Sequence, residues 1–250
     1  MARLPFRRAW SHGLRALVAG LALGALGGCR ADLTVAVRAT AEGAGDVSAT
    51  VSLDKEAAEQ VPDLGDQLRV DDLKAAGWRI VGPAPAPGGR TRLRAVKAFG
   101  SASEAGQVLR ELSGDGGPFG SLRLNRTRSL LKTRTSLTGA VDLTAGLESF
   151  SDEVLKEKLG GSAFGVDLAQ LEAELGKPLA DIFGFRLVAD LPGEREGEAP
   201  AVWQVRLGHT TPVRAVAEQW NLTTIAAAAS AAVVLALLAV LVRRRRPRRH

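Results

Sequence analysis

Basic side chains are the most distinctive chemical feature of the sequence. Between residues 79 and 134, lysines and arginines far outnumber the three acidic residues. Successive residues of a strand alternate between its two faces, so residues of equal parity on neighbouring strands are expected to share one basic sheet face. The candidates for binding anionic lipid on that face are Arg90, Arg92, Arg94, Arg126, Arg128, Lys132 and Arg134. The alternative is a solvated face whose charges pair with the acid-rich remainder of the chain.

Residue types that support catalysis or metal binding are scarce. The chain has one cysteine, three histidines and no tyrosine, whereas a zinc site needs several Cys or His ligands. No metal and no cofactor are therefore expected. His12 and His250 lie in the terminal segments, which leaves His209 as the histidine of the central region. We interpret it as a solvated side chain close to the membrane.

Two further patterns resemble catalytic motifs only superficially. The glycine-rich segment 114–120 lacks the Lys-Ser/Thr pair with which a phosphate-binding loop ends. Acidic pairs such as Asp71-Asp72, Asp152-Glu153 and Glu172/Glu174 fall on predicted helices, where carboxylates interact with the N-terminal dipole and solvent. The sequence therefore predicts a protein that is not an enzyme, with a hydrolase using Ser and Asp without His as a remote alternative.

The N-terminal segment has the pattern of an export signal. Four arginines, at positions 3, 7, 8 and 15, precede or begin the short apolar run Leu14–Leu26. Leu26-Gly27-Gly28-Cys29 follows, and this resembles the bacterial lipobox, in which the cysteine thiol receives a diacylglycerol. We expect residues 1–28 to be a lipoprotein signal peptide and Cys29 to be the lipidation site.

The C-terminal segment predicts a transmembrane helix. Residues 222–242 carry no charge, and 21 residues at roughly 1.5 Å each would span a hydrocarbon core of about 30 Å. Residues 243–250 contain six arginines, which by the positive-inside rule predicts a basic cytoplasmic tail. We therefore expect a cell-membrane protein, lipid-anchored and single-pass, whose domain 29–221 is extracytoplasmic.

The charge distribution argues against nucleic-acid binding. The chain has a formal net charge of +6, but ten of its arginines lie in the two membrane-flanking ends, and the middle of the chain is acidic. A nucleic-acid-binding protein needs its positive charge on the folded face itself. No nucleic-acid partner is expected.

Hydrophobic periodicity predicts the elements of the exported domain. Alternation indicates a hairpin of strands 33–39 and 47–53 and further strand pairs at 78–81 with 91–99, 122–128 with 130–143, and 183–191 with 201–207. Short helical pieces are expected between 55 and 76, a capped helix at 101–112, and helices at 152–159 and 167–175. Strand pairs interrupted by helices, without a βαβ series, predict an α+β fold with a mainly antiparallel sheet and a few helices, plus the C-terminal transmembrane helix.

Several segments together resemble a known family. These are the lipobox followed directly by a hairpin, Gly77-Trp78, the strand and capped helix of 97–112, Gly117-Pro118-Phe119, the strand Thr138–Leu143 and the closing helix with its arginines. They look like the LppM family of actinobacterial lipoproteins, over most of residues 29–246. The resemblance implies an α+β envelope domain, an LppM-like domain that binds lipid or glycolipid, and it carries no catalytic motif.

The sequence thus favours a membrane-anchored lipoprotein that binds anionic lipid or glycolipid, with an envelope protein-protein interaction module as the alternative. It also sets geometric expectations. Only two or three residues separate Cys29 from the first strand, so the N-terminal end of the hairpin is expected at the headgroups. About fourteen residues after Leu207 are expected to link the last strand to the helix.

Overall fold

A computed structural model describes residues 30–60, 70–113, 116–146, 149, 172, 178–195, 197 and 200–245. The expected signal peptide, Cys29, the expected helix at 152–159, the expected helix at 167–175 apart from Glu172, and residues 246–250 lie outside the described residues. Within the described part the fold is α+β with mainly antiparallel sheets, as predicted. Its strands are β1 Ala31–Ala39, β2 Gly45–Leu53, β3 Arg79–Ala86, β4 Arg90–Phe99, β5 Arg123–Arg128, β6 Lys132–Asp142, β7 Phe183–Asp190, β8 Glu194–Arg195, β9 Ala201–Val205 and β10 Thr210–Trp220. Its helices are α1 Lys55–Gln60, α2 Val70–Ala75, α3 Ala102–Ser113, α4 Leu179–Ile182 and α5 Leu222–Arg245.

The strands form two sheets. Six strands make the first sheet in the order β3-β4-β2-β1-β7-β9, and four make the second in the order β5-β6-β10-β8. The predicted hairpins β1-β2, β3-β4 and β5-β6 are confirmed as antiparallel pairs. The predicted pair β7-β9 is also confirmed, and β7 joins the first sheet by lying parallel to β1.

The hydrophobic core is formed by the inner faces of both sheets together with α3. Val35 and Leu187 of the first sheet are fully buried, as are Leu137 of the second sheet and Leu109 of α3. The helix α3 begins after Ser101 as predicted, but the cap differs from a capping box: Glu104 accepts hydrogen bonds from the Gly100 N–H and the Ser101 hydroxyl, and its own N–H donates to the Ser101 backbone carbonyl. The buried residues of α3 that join the core are Ala105, Val108, Leu109 and Leu112.

The prediction that about fourteen residues after Leu207 form a linker is wrong. Residues 210–220 form β10, an eleven-residue strand that pairs along its whole length with β6 and also contacts β8. Val213, Ala215 and Ala217 are buried on its inner face and Arg214 between them is exposed, but Val216 on the other face is buried as well, so the alternation of a half-buried strand is incomplete. Two of these three side chains are small, and Pro212 interrupts the pattern, which weakens the signal. β10 leads into α5 through Asn221 alone.

The domain has two ends, which we call proximal and distal by their position relative to α5. At the distal end the Phe119 and Phe185 rings stack with centroids 5.9 Å apart, and the Asp142 N–H donates to the Pro118 carbonyl. At the proximal end Arg126 donates to the Ala41 carbonyl of the β1-β2 turn over 2.9 Å. Because β1 and β10 both run from the distal to the proximal end, Arg30 lies at the end opposite to α5.

This polarity corrects the expectation for the N-terminus. The residues that begin β1 lie at the distal end, and the part of the hairpin nearest α5 is the β1-β2 turn. Ala31 and Ala39 are eight steps apart, about 26 Å at roughly 3.3 Å per residue. The N-terminal end of the hairpin and the start of α5 therefore lie on opposite sides of the domain.

Candidate functional site

The seven basic candidates lie in three places. Arg90, Arg92 and Arg94 are on β4, on the outer face of the six-stranded sheet, opposite to the buried Leu93 and Phe99. The other four are on β5 and β6 in the second sheet. The single basic sheet face that sequence parity predicts is therefore not formed.

The register between β5 and β6 explains this correction. Arg126 pairs with Thr135 and Arg128 with Thr133, both of which are buried on the inner face. Lys132 and Arg134 alternate with those threonines and lie on the outer face. Residues directly opposite each other share a face of a sheet, so Arg126 and Arg128 project from the inner face and Lys132 and Arg134 from the outer one.

The arginines of β4 interact with carboxylates on the neighbouring strands. Arg90 Nη1 lies 3.0 Å from Oδ2 of Asp32, which is buried, and Arg94 Nη2 lies 3.9 Å from Oδ2 of Asp46. Arg92 is exposed, and no carboxylate among the described residues pairs with it. Arg90 is at the distal end of β4, since Thr91 lies opposite Leu53 and Leu53 opposite Ala31.

The four candidates of the second sheet lie together at its proximal end, and we call them the basic collar: Arg126, Arg128, Lys132 and Arg134. Lys132 lies directly opposite Trp220, the last residue of β10. Arg134 lies opposite Glu218, and Arg128 is the last residue of β5. The collar therefore surrounds the place where β10 continues into α5, with two cations on each face of the sheet.

Glu218 and Trp220 organise the outer half of the collar. Lys132 Nζ lies 3.0 Å from Glu218 Oε2, and Arg134 Nη1 lies 3.9 Å from Oε1. The hydrogen bond and positive charge of Lys132 lower the pKa of the Glu218 carboxyl, and Arg134 adds to this effect. Lys132 Nζ also lies 4.5 Å from the centroid of the Trp220 ring, within the range of a cation–π interaction.

The inner half of the collar differs between its two members. Arg126 is half-buried and its guanidinium is fixed by the carbonyl of Ala41. Arg128 is exposed, and no described carboxylate pairs with it. Arg128 is thus the collar residue whose charge is most available to a ligand.

His209 is not close to the membrane helix, contrary to expectation. It precedes β10 at the distal end, where the Leu143 N–H donates to its backbone carbonyl. The side chain is exposed as predicted, and its Nδ1 lies 3.0 Å from the Leu207 carbonyl oxygen. Nearby, hydrogen bonds from the Thr144 backbone and hydroxyl lower the pKa of the Asp142 carboxyl. This arrangement closes a turn, and no described contact joins His209 to a carboxylate.

The described residues include no group of three or more His, Cys, Asp and Glu side chains that could hold a metal ion. The helix α5 is long and apolar enough to cross a membrane, and its window Leu222–Ala239 is not buried inside the fold. No protein-family model matches the chain, and no curated protein or solved structure is significantly similar to it. The LppM-like resemblance stays a prediction from the sequence.

Proposed function

We propose that this protein is a membrane-anchored bacterial envelope lipoprotein that binds anionic lipid or glycolipid headgroups and catalyses no reaction. The observation that carries the proposal is the position of the basic collar around the start of α5. A helix that crosses a bilayer from Leu222 onwards holds these four cations at the level of the headgroups. Cationic residues near an anionic membrane surface contribute about 1 kcal/mol each.

The collar supports this function better than the arginines of β4. Arg94 lies five residues before the proximal end of β4, about 17 Å at roughly 3.4 Å per residue. That separation exceeds the Debye length of about 8 Å at physiological ionic strength. With the strands upright on the membrane, as in a chain held by α5 alone, the β4 arginines are beyond the reach of the headgroups, whereas the collar is within it.

The finer topology belongs to the same proposal. Residues 1–28 direct export, Cys29 carries a lipid, and the arginines from Arg243 onwards keep the C-terminus in the cytoplasm. The domain then faces the outside of the cell membrane. The resemblance to LppM lipoproteins supports the choice of a lipid or glycolipid as the ligand.

The test compares two charge reversals in the full chain carrying Cys29→Ser, which is held in the membrane by α5 alone. The protein is placed in nanodiscs of phosphatidylcholine and phosphatidylglycerol, and the lipids retained are counted by native mass spectrometry. Arg128→Glu with Lys132→Glu should lower the preference for phosphatidylglycerol by more than about tenfold, at about 1 kcal/mol per lost cation and a similar repulsion from each new carboxylate. Arg92→Glu with Arg94→Glu is the matched control and should retain that preference.

Each result separates the candidate surfaces. Loss of the preference in the control alone would assign lipid contact to the β4 face instead of the collar. Binding of anionic lipid is contradicted if the wild-type chain shows no preference for the anionic lipid. It is also contradicted if that preference does not change with salt.

A second candidate function is an envelope protein-protein interaction module. Val81 and Val202 are both about half exposed, at 52%, and they lie on β3 and β9, the two edge strands of the six-stranded sheet. Edge strands with exposed apolar residues can pair with another chain. Val202→Lys should abolish such pairing and leave the lipid preference unchanged, as measured by cross-linking in membranes.

A further inference from the structure

Two leucines at the turn between β5 and β6 are unusually exposed. Leu130 is 80% exposed and Leu131 is 55% exposed, and we call these two residues the hairpin tip. Elsewhere in the same sheet, the large aliphatic residues Leu124, Leu137 and Val141 are buried. Exposed apolar side chains carry meaning when they belong to a contiguous patch, which marks a protein or membrane contact.

The hairpin tip is fixed beside the first turn of α5. The Asn221 N–H donates to the Leu131 carbonyl over 2.8 Å, and the Asn221 carboxamide nitrogen donates to the Ser129 carbonyl over 2.7 Å. The Thr133 hydroxyl donates to the Asn221 carboxamide oxygen over 2.8 Å. Asn221 is buried, and its own carbonyl accepts from Ile225 within α5. Asn221 therefore joins the hairpin tip to the start of α5 through both its backbone and its side chain.

Further apolar residues continue this surface along the chain. Trp220 is 48% exposed and Leu222 is 72% exposed, and they flank Asn221. Lys132 and Arg128 border the tip on either side in sequence. Leucines next to a tryptophan and bordered by cations match the composition of a membrane interface, where aromatic rings and basic groups lie at the headgroups and aliphatic groups enter the acyl region.

We propose that the hairpin tip inserts into the outer interface of the same bilayer that α5 crosses. The occupant of this surface is the lipid bilayer because the surface is continuous with the membrane helix and no linker separates them. In a chain held by α5 alone, insertion holds the domain upright, with its strands directed towards the membrane. The inference rests on the membrane-crossing helix of the proposed function but does not depend on the preference for anionic lipid.

The experiment measures the depth of single labelled cysteines in the full chain. Cys29→Ser removes the native thiol, and Leu130→Cys or Ala145→Cys adds one. Ala145 is exposed and lies beyond the end of β6, at the distal end. Each thiol receives the fluorophore NBD, and the chain is reconstituted in vesicles of phosphatidylcholine, with or without phosphatidylglycerol, containing nitroxide lipids labelled near the top of the acyl chain.

The inference requires that the fluorophore at position 130 is quenched several times more strongly than at position 145, with blue-shifted emission, in both vesicle compositions. Equal quenching at the two positions overturns it. Leu131→Cys offers a second position at the tip if the melting temperature of the first variant differs from that of the parent chain. Its side chain is exposed, and the bond to Asn221 uses only its backbone.

Failure of this inference differs from failure of the proposed function. A quenched tip in a chain that does not prefer phosphatidylglycerol contradicts headgroup binding and keeps the insertion. An unquenched tip in a chain that prefers phosphatidylglycerol contradicts the insertion and keeps headgroup binding.

Discussion

Glu218 limits how much positive charge the basic collar presents. Its two carboxylate oxygens are shared between Lys132 and Arg134, on the strand directly opposite. All three side chains are partly exposed, so water screens these pairs and their contribution to stability is small. Their larger effect is on charge, because one carboxylate compensates for part of the outer half of the collar.

Replacing Glu218 by glutamine should therefore strengthen the selection of anionic lipid. Glu218→Gln keeps the size of the side chain and removes its negative charge, so Lys132 and Arg134 become fully available to headgroups. The number of phosphatidylglycerol molecules retained by the full chain should rise several-fold. Glu56→Gln makes the same change in charge on α1 at the distal end and should have no effect. A similar rise in both variants would show that net charge matters and the position of Glu218 does not.

The same substitution predicts a dependence on pH. The hydrogen bond and positive charge of Lys132 hold the pKa of Glu218 below the usual value of a glutamate, so the ion pair is intact at neutral pH and is lost as the pH falls through this lowered pKa. In the wild type, added selectivity for the anionic lipid should emerge only in this acidic range. In Glu218→Gln that acid-dependent step should be absent.

At the scale of elements, periodicity within a strand was informative and register between strands was not. Alternation correctly located the strands β1, β2, β4 and β7. The prediction that the four collar residues share one sheet face failed because four residues connect Arg128 to its partner Thr133. An even number of connecting residues reverses the parity relation between paired strands, and turn geometry sets that number. Sequence therefore identified the basic residues but not which of them share a face.

A second limit concerns strands built from small side chains. Ala215 and Ala217 bury little apolar area, so β10 gave a weak hydrophobic signal. Its stability comes from pairing with β6, which is distant in sequence. Strand propensity depends on packing against cross-strand neighbours, which the local sequence does not show, so the sequence predicts a linker where the structure has a strand.

Substitution by alanine is expected to change stability in opposite directions at two glycines. Gly139 in β6 has φ +134°, and an added Cβ would lie 2.5 Å from the Ser121 carbonyl oxygen. Gly139→Ala should lower the free energy of unfolding by at least about 1–3 kcal/mol, the usual cost of such backbone strain. Gly106 lies in α3, where the added Cβ meets neighbours at 3.6 Å or more. Gly106→Ala should raise the free energy of unfolding by up to about 1 kcal/mol through helix propensity.

Thermal unfolding of the full chain in detergent checks both changes. A melting temperature that falls for Gly139→Ala and rises for Gly106→Ala agrees with the structure. If both variants melt at the same temperature as the wild type, the close approach of Gly139 to the Ser121 carbonyl is contradicted.

At the scale of the whole molecule, the two expected membrane attachments lie at opposite ends. A lipid on Cys29 reaches Ala31 across two residues, about 7 Å at roughly 3.5 Å per residue. The length of β1 then separates it from the start of α5. A chain attached at both ends to one bilayer must therefore lie with its strands along the membrane, whereas a chain attached only by α5 is free to stand upright.

Lipidation should consequently change the orientation of the domain. Metabolic labelling with a fatty acid should mark the wild type and miss Cys29→Ser. A fluorophore on Glu56→Cys, close to Arg30 through the contact between Arg30 and Asp54, should be quenched by nitroxide lipids in the lipidated chain and not in the Cys29→Ser chain. A protein that carries the fatty-acid label but whose fluorophore at position 56 is not quenched would contradict this geometry.

The direct passage from β10 into α5 has a mechanical consequence. A pull on the helix acts along β10, and the hydrogen bonds of an antiparallel pair are perpendicular to the strands. The eleven register positions shared with β6 are therefore loaded in shear, together, instead of being opened one after another. Tension in α5 would reach the hydrophobic core through β10 before the strand could peel away, so we expect this domain to resist force along the direction of β10.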